Sequence, residues 1–369
     1  MTDFKLDLTD GDHIYYHPDG RVWQKYDIID GKPHGKWTYY HANGELSRDE
    51  EYDNGVRVGH WTTWHDNGNQ WTEKNYKDGK KHGKFGRWRY DKKTEYEGQY
   101  EENNKVGRWV YYYDSGVKEY EGRYANDQKN GKWFKFHDGS GKKYSESIYI
   151  NNELNGKYIE YGESGLIIVE GGYKNNEKNG KYTYTGDNGN IRKEENYKNG
   201  KLDGEYKEWH PDGGKWKEQN YKNGDFDGQF IIYHLNGSTF QIGESKNGNK
   251  IGKWYSYHGT GIKKGDEEYE NGKKIGLWKE WYETGQKKSW GKYINNKKEG
   301  RWETWHKTTN LWTRSHYKNS KKISKWTEWH SDGKLKSIIY YKDDKLNGEF
   351  NQWFMSGTKR TSGKMYQDK

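Results

Sequence analysis

The chain of 369 residues has no cysteine, which excludes disulfide staples and thiolate metal sites and suits a reducing compartment. Aliphatic residues are scarce: 29% of the chain is hydrophobic against 33% charged, and much of the apolar share is Trp and Tyr. An ordinary aliphatic core of that size is therefore not expected. Long apolar runs are missing too. Nothing approaches the roughly 18 residues of a membrane span, and the N-terminal MTDFKLDLTDGDHIYY lacks a basic region leading into an apolar one. The sequence reads as soluble and cytoplasmic. Disorder is disfavoured by what is present, 20 Trp, 35 Tyr and 9 Phe, because disordered chains are poor in aromatics. A folded chain without a thick core is expected.

The reason lies in repetition. NYKNG stands at 196–200 and again at 220–224. A glycine preceding an aromatic recurs from Gly11 through Gly35, Gly59 and onward to Gly348, every 24 residues; Gly131 to Gly156 is 25, and Ser324 holds one anchor between Gly300 and Gly348. Residues 1–10 read as a tail and 11–369 as one continuous array of about fourteen copies. Counted from the anchor, each copy carries aromatics at +2 and +5, commonly His at +6, a first Asn-Gly or Asp-Gly ending at +9, Tyr at +17 and a second Asn-Gly ending at +20. Two such turns flanking short aromatic runs denote a β-hairpin.

If both turns are two-residue type I′ loops, +5 falls opposite +12 and +0 opposite +17. Trp64 would then face Trp71, Trp209 face Trp216, Trp305 face Trp312, Tyr16 face Trp23 and Tyr233 face Phe240. The anchor glycine would leave room for the Tyr at +17, as in Tyr52 over Gly35, Tyr76 over Gly59 and Tyr221 over Gly204. Both faces would carry aromatics. The expected fold is all-β, an elongated single-layer antiparallel meander, with about 28 strands at roughly 4.8 Å giving a sheet near 130 Å long before twist.

The pattern YKNGKxxGxW followed by YxxNG resembles MORN repeats in their divergent bacterial form, and the resemblance covers essentially the whole chain. It implies a β-meander that serves as scaffold or binding surface, and the bacterial relatives imply an antitoxin or immunity partner of a toxin. Three copies depart from the pattern: 83–106 lacks the first Asn-Gly, 131–155 has an extra residue at DGSG, and in 300–324 Thr308-Thr309 and Asn319-Ser320 replace turn glycines.

Chemistry is sparse. Nine of 14 histidines, His17, His41, His65, His137, His210, His234, His258, His306 and His330, occupy +6. Successive copies lie two strands, about 9.5 Å, apart, too far to share an ion. Each His is instead expected to pack beside its own turn. Glu73, Glu121 and Glu218 at +14 should lie diagonally across from basic residues at +1 such as Lys36, Arg108 and Lys132, forming a solvated charge ladder. No singular carboxylate pair and no nucleophile, P-loop or zinc motif stands out. Neither an enzyme, a cofactor nor a metal is expected.

A net charge of +9 with abundant Trp and Tyr invites nucleic acid, but 65 basic residues are interleaved with 56 acidic ones. A protein partner fits better, since Trp, Tyr and Arg dominate interface hot spots. The candidate contacts are Trp64, Trp71, Trp209, Trp216, Tyr233, Trp305 and Trp312. Nucleic acid, glycan or anionic lipid headgroups bound through the aromatic face is the alternative. From Gly156 to Gly228 the +2 residue changes to Tyr158, Tyr182, Tyr206 and Phe230, and Leu166, Ile167, Ile168 and Val169 form the most aliphatic segment.

Overall fold

A computed structural model describes residues 6–309 and 311–365. The chain is all-β: thirty-four strands run from Gly11–Tyr16 to Lys359–Met365, with no helix among the described residues. Four of them, of two residues each, are the first pieces of strands interrupted at an anchor glycine, as Val56–Arg57 is before Gly59–Trp64. Thirty full strands remain among the described residues, fifteen hairpins, one for each of the fourteen anchor glycines and one for Ser324. The chain divides into two compact units, 1–180 and 181–369. Each unit is an antiparallel meander in which strands pair with their neighbours in sequence.

Among the described residues the second turn of a copy is the expected type I′. Asn54 and Gly55 both have positive φ, 50° and 84°, and join Asp53 to its partner Val56. The first turn is different. Gly20 N–H donates to His17 O at 2.9 Å and His17 N–H to Arg21 O at 2.7 Å, and Gly20, at φ 87°, follows Pro18 and Asp19, which stay at negative φ. This is a type I turn closed by a left-handed glycine, a three-residue loop with a bulge. Pro18 could not have sat in a type I′ turn, because its ring fixes φ near −65°.

That loop corrects the register. Up to +4 the count holds, but the bulge then moves +5 onto +11: Trp64 faces Gln70, Trp209 faces Lys215, Tyr233 faces Thr239 and Tyr16 faces Val22. Only Trp305 faces Trp312 as expected. Its loop has Thr308-Thr309 where the other first turns carry their left-handed residue at +9, and both Thr308 and Thr309 stay at negative φ while His306 N–H bonds Leu311 O at 2.8 Å. The other irregular copies adapt as well. Lys92 takes the left-handed position at φ 70° in 83–106, and the extra residue of 131–155 widens its loop to His137 N–H donating to Lys142 O at 2.9 Å.

Gly35, Gly59 and Gly204 do face Tyr52, Tyr76 and Tyr221, but not for the expected reason. A Cβ on Gly35 would meet nothing within 4 Å; what the site demands is φ +62°. Room is needed elsewhere. At Gly98, Gly122, Gly243 and Gly291 a Cβ would lie 2.0–2.2 Å from the indole at +2 of the following copy.

Those indoles form the core. Trp109 and Trp254 are 0% and 1% exposed. Each bulge at an anchor glycine shifts the ladder and brings the carbonyl two residues past position +14 within reach of the core indole. The indole N–H donates into it, Trp37 to Asp27 O at 3.2 Å and Trp254 to Glu244 O at 3.0 Å. Tyr rings at +17 fill the gaps between indoles: Tyr52 lies 5.2 Å from Trp37 and 5.1 Å from Trp61, and Tyr293 5.0 Å from both Trp278 and Trp302. Lysine closes the row. Lys105, Lys129, Lys250 and Lys298 set Nζ 3.9–4.4 Å from the centroids of Trp109, Trp133, Trp254 and Trp302. Burial holds all four ammonium groups below the usual lysine range.

Candidate binding surface

With the +2 and +17 rings sealed under lysine stems, the side chains left for a partner are those at +5, +12 and the first turns. The +5 phenols are tied down by charge. Tyr112 donates to Glu97 at 3.0 Å, Tyr161 to Glu146 at 3.1 Å and Tyr233 to Glu218 at 3.1 Å, each carboxylate belonging to the preceding hairpin. Around them runs the expected ladder. Lys36–Asp49, Arg108–Glu121, Lys157–Glu170 and Lys181–Glu194 each close at 2.7 Å from +1 to +14. Hydrogen bonding to Arg108 holds the Glu121 carboxyl below its usual range. One of the anticipated acids chooses otherwise, Glu218 pairing with Lys215 at 2.6 Å, whereas Glu73 keeps the +1 to +14 diagonal with His60 in the basic position at 3.9 Å.

Seven of the nine histidines at +6 stitch hairpins together rather than serving their own turns alone. His41 Nε2 lies 3.0 Å from Trp64 O, His234 Nε2 3.0 Å from Tyr257 O and His258 Nε2 3.0 Å from Trp281 O, each acceptor being in the next copy. Tyr113 and Tyr282 donate to the same kind of carbonyl. No group of three or more metal-binding side chains occurs among the described residues.

Of the residues predicted from sequence, Trp71 and Trp216 are the most exposed, at 42% and 44%. As bulge residues they have lost the indole partners expected for them. Trp71 lies 5.6 Å from His65, with Arg87 at 5.9 Å, and Trp216 lies 6.0 Å from His210, with Lys217 at 5.6 Å. Trp64, Trp209 and Tyr233 are half-buried. Leu166 and Ile167, from the aliphatic segment, are exposed.

Trp305 and Trp312 are brought together, with two residues that sequence reasoning missed. Trp312 faces Trp329 and stacks on it, centroids 3.6 Å apart and planes 4° apart. Trp305 turns towards Trp290, 5.8 Å away and edge-on. The signal was present: Trp290 sits at +14 and Trp329 at +5 of copies flanking the loop without glycine.

A model described as MORN repeat variant matches residues 33–54, 57–78, 105–126, 202–223 and 324–343. These five segments support a MORN-repeat protein. No curated protein matches the chain. Among solved structures, it is similar to a chain of the Tc holotoxin pore of Photorhabdus luminescens, at 10% identity over 94% of this chain and 26% of that one, TM-score 0.18. It is also similar to a chain of the TcdB2–TccC3 complex, at 10% identity over 96% and 29%, TM-score 0.15. The chain spans roughly a quarter of the length of those chains, and likenesses at such TM-scores carry no argument.

Proposed function

We propose that the chain is a non-enzymatic, cytoplasmic repeat protein that holds another protein against its +5 and +12 aromatics, as an antitoxin or immunity-type inhibitor or as an assembly scaffold. The observation that carries this reading is the division of labour among the aromatics. One set is consumed by the core, whereas Trp71 in the first unit and Trp216 in the second remain exposed, on a chain whose +1 cations at Arg108 and Lys181 are closed onto +14 carboxylates. Exposed indoles beside closed ion pairs match the anchor-and-rim anatomy of protein interfaces. The same closed pairs disfavour a polyanion, which would have to displace carboxylates such as Glu121 and Glu194 from their cations.

The test is capture from the native host with the wild-type chain and with a Trp71→Ala, Trp216→Ala double variant that keeps its circular dichroism. A protein retained by the first and lost by the second supports the reading; equal retention by both removes these residues from the interface. A toxin encoded beside the gene and neutralised by the chain would select the inhibitor over the scaffold.

A further inference from the structure

The hairpin of 300–324, whose first turn carries Thr308-Thr309, opens a hollow of about 310 Å³, lined among others by Thr304, Trp305, Trp312, Glu328, Trp329 and Lys336. Its origin is the restored register. Three tryptophans stand in line on three paired strands, Trp305 opposite Trp312 and Trp312 opposite Trp329. The second pair closes into a stack at 3.6 Å, but Trp305 leans away to Trp290 at 5.8 Å, with Lys287 Nζ at 5.5 Å over its ring. The row of indoles is interrupted between Trp305 and Trp312, and the hollow lies against both.

The polar groups narrow what could enter. Lys336 Nζ is 3.4 Å from Glu328 Oε2, and Ser337 Oγ donates to the same oxygen at 3.2 Å. Charge in the hollow is therefore internally balanced, which favours a neutral ligand over a phosphate. The other Glu328 oxygen and the Thr304 and Thr313 hydroxyls offer hydrogen bonding beside an aromatic wall. We propose that this hollow is a saccharide site, taking one or two pyranose rings of a neutral, β-linked glycan. The flat C–H face of an all-equatorial pyranose stacks on an indole, and its equatorial hydroxyls reach the carboxylate and threonines at the rim. The size is that of a small ligand pocket, about 300 Å³ at the low end. The site goes beyond the protein-binding reading and uses residues that the Trp71, Trp216 variant leaves intact.

Calorimetric titration of the full chain with cellohexaose tests it. Saturable binding is expected, about tenfold or more weaker in Trp312→Ala through loss of one stacking face, several-fold weaker in Glu328→Gln, and unchanged in Trp216→Ala. Glu328→Gln preserves the fold if Trp312→Ala does not. No saturation at millimolar cellohexaose, binding indifferent to both substitutions, or binding of a short oligothymidine in place of the sugar would each overturn the assignment.

Discussion

At the scale of single residues, glycine performs two unrelated tasks in this chain, and substitution separates them. Gly243 lies in ordinary extended backbone, where an added Cβ would stand 2.2 Å from Cδ2 of Trp254; Gly252 has open space around it but sits at φ +61°. Gly243→Ala should therefore cost about 1–3 kcal/mol by overpacking, and Gly252→Ala about 1–2 kcal/mol by backbone strain. Asparagine distinguishes them, since it tolerates the left-handed region: in urea unfolding, Gly252→Asn should recover most of the loss, and Gly243→Asn none. The partly buried tyrosines make a second prediction. Burial pushes the phenols of Tyr52, Tyr100 and Tyr112 from 10.0 up to about 12, with hydrogen bonding to Glu97 adding to the effect at Tyr112. A pKa raised by folding contributes stability that is complete below the unfolded value and lost as pH rises through the folded one. The half-buried lysines act oppositely, gaining as they lose protons, so the fall begins only when phenols ionise. Stability should hold to about pH 10 and collapse between roughly pH 10 and 12, with tyrosinate absorbance rising together with the loss of circular dichroism. Phenols that titrate near pH 10 while the sheet is still intact would contradict the packing described here.

At the scale of the hairpin, the period, the second turn and the Gly–Tyr pairing were legible because each depends on one residue type at one spacing. The first turn was not. Asp-Gly and Asn-Gly occur both in type I′ turns and in type I turns with a bulge, and the dipeptide alone does not say which of its residues takes positive φ. His-Pro-Asp-Gly at 17–20 held the discriminating residue, Pro18. The consequence for the candidate site was a shift by one residue, which kept Trp71 and Trp216 in view but paired them wrongly, and which left Trp329 unnoticed. Coupling energies should follow the observed register. Removing Trp312 and Trp329 together should cost less than the sum of the single losses by about 0.5–1.5 kcal/mol, whereas Trp209 and Trp216 should be additive. The loop itself is convertible. Thr309→Gly puts glycine at the +9 position where the other first turns have their left-handed residue, so the bulge should form, move Trp305 onto Leu311 and dissolve the Trp312–Trp329 stack. The measurement is the exciton signal of the stacked indoles in far-ultraviolet circular dichroism, expected to fall in Thr309→Gly and to persist in Thr309→Ser.

At the scale of the whole molecule, total composition and the pairing of charges favour different partners. A chain of net charge +9 with 20 Trp has the makings of a nucleic-acid binder when read as totals. Its charges are not free to act together: lysines at the second-turn strands cover core indoles, and the +1 cations are closed onto +14 carboxylates. Which aromatics stay exposed could not be read from counts, since the same residue types build the core and the surface. A partner held by phosphate contacts would be released steeply by salt, each neutralised phosphate adding roughly 0.7–0.9 to the slope of log affinity against log salt. A protein anchored on exposed indoles should be far less sensitive, because burial of Trp is not screened and only rim charges are. The purified chain should therefore show no tight binding of single-stranded DNA or RNA at physiological ionic strength, and its native partner should be a protein still retained at several hundred millimolar salt. Trp71→Ala and Trp216→Ala, each confirmed as folded, should speed its dissociation while leaving the salt slope nearly unchanged. Submicromolar nucleic-acid binding in physiological salt, abolished by the same two substitutions, would turn the exposed indoles into base-stacking platforms and displace the protein-binding reading.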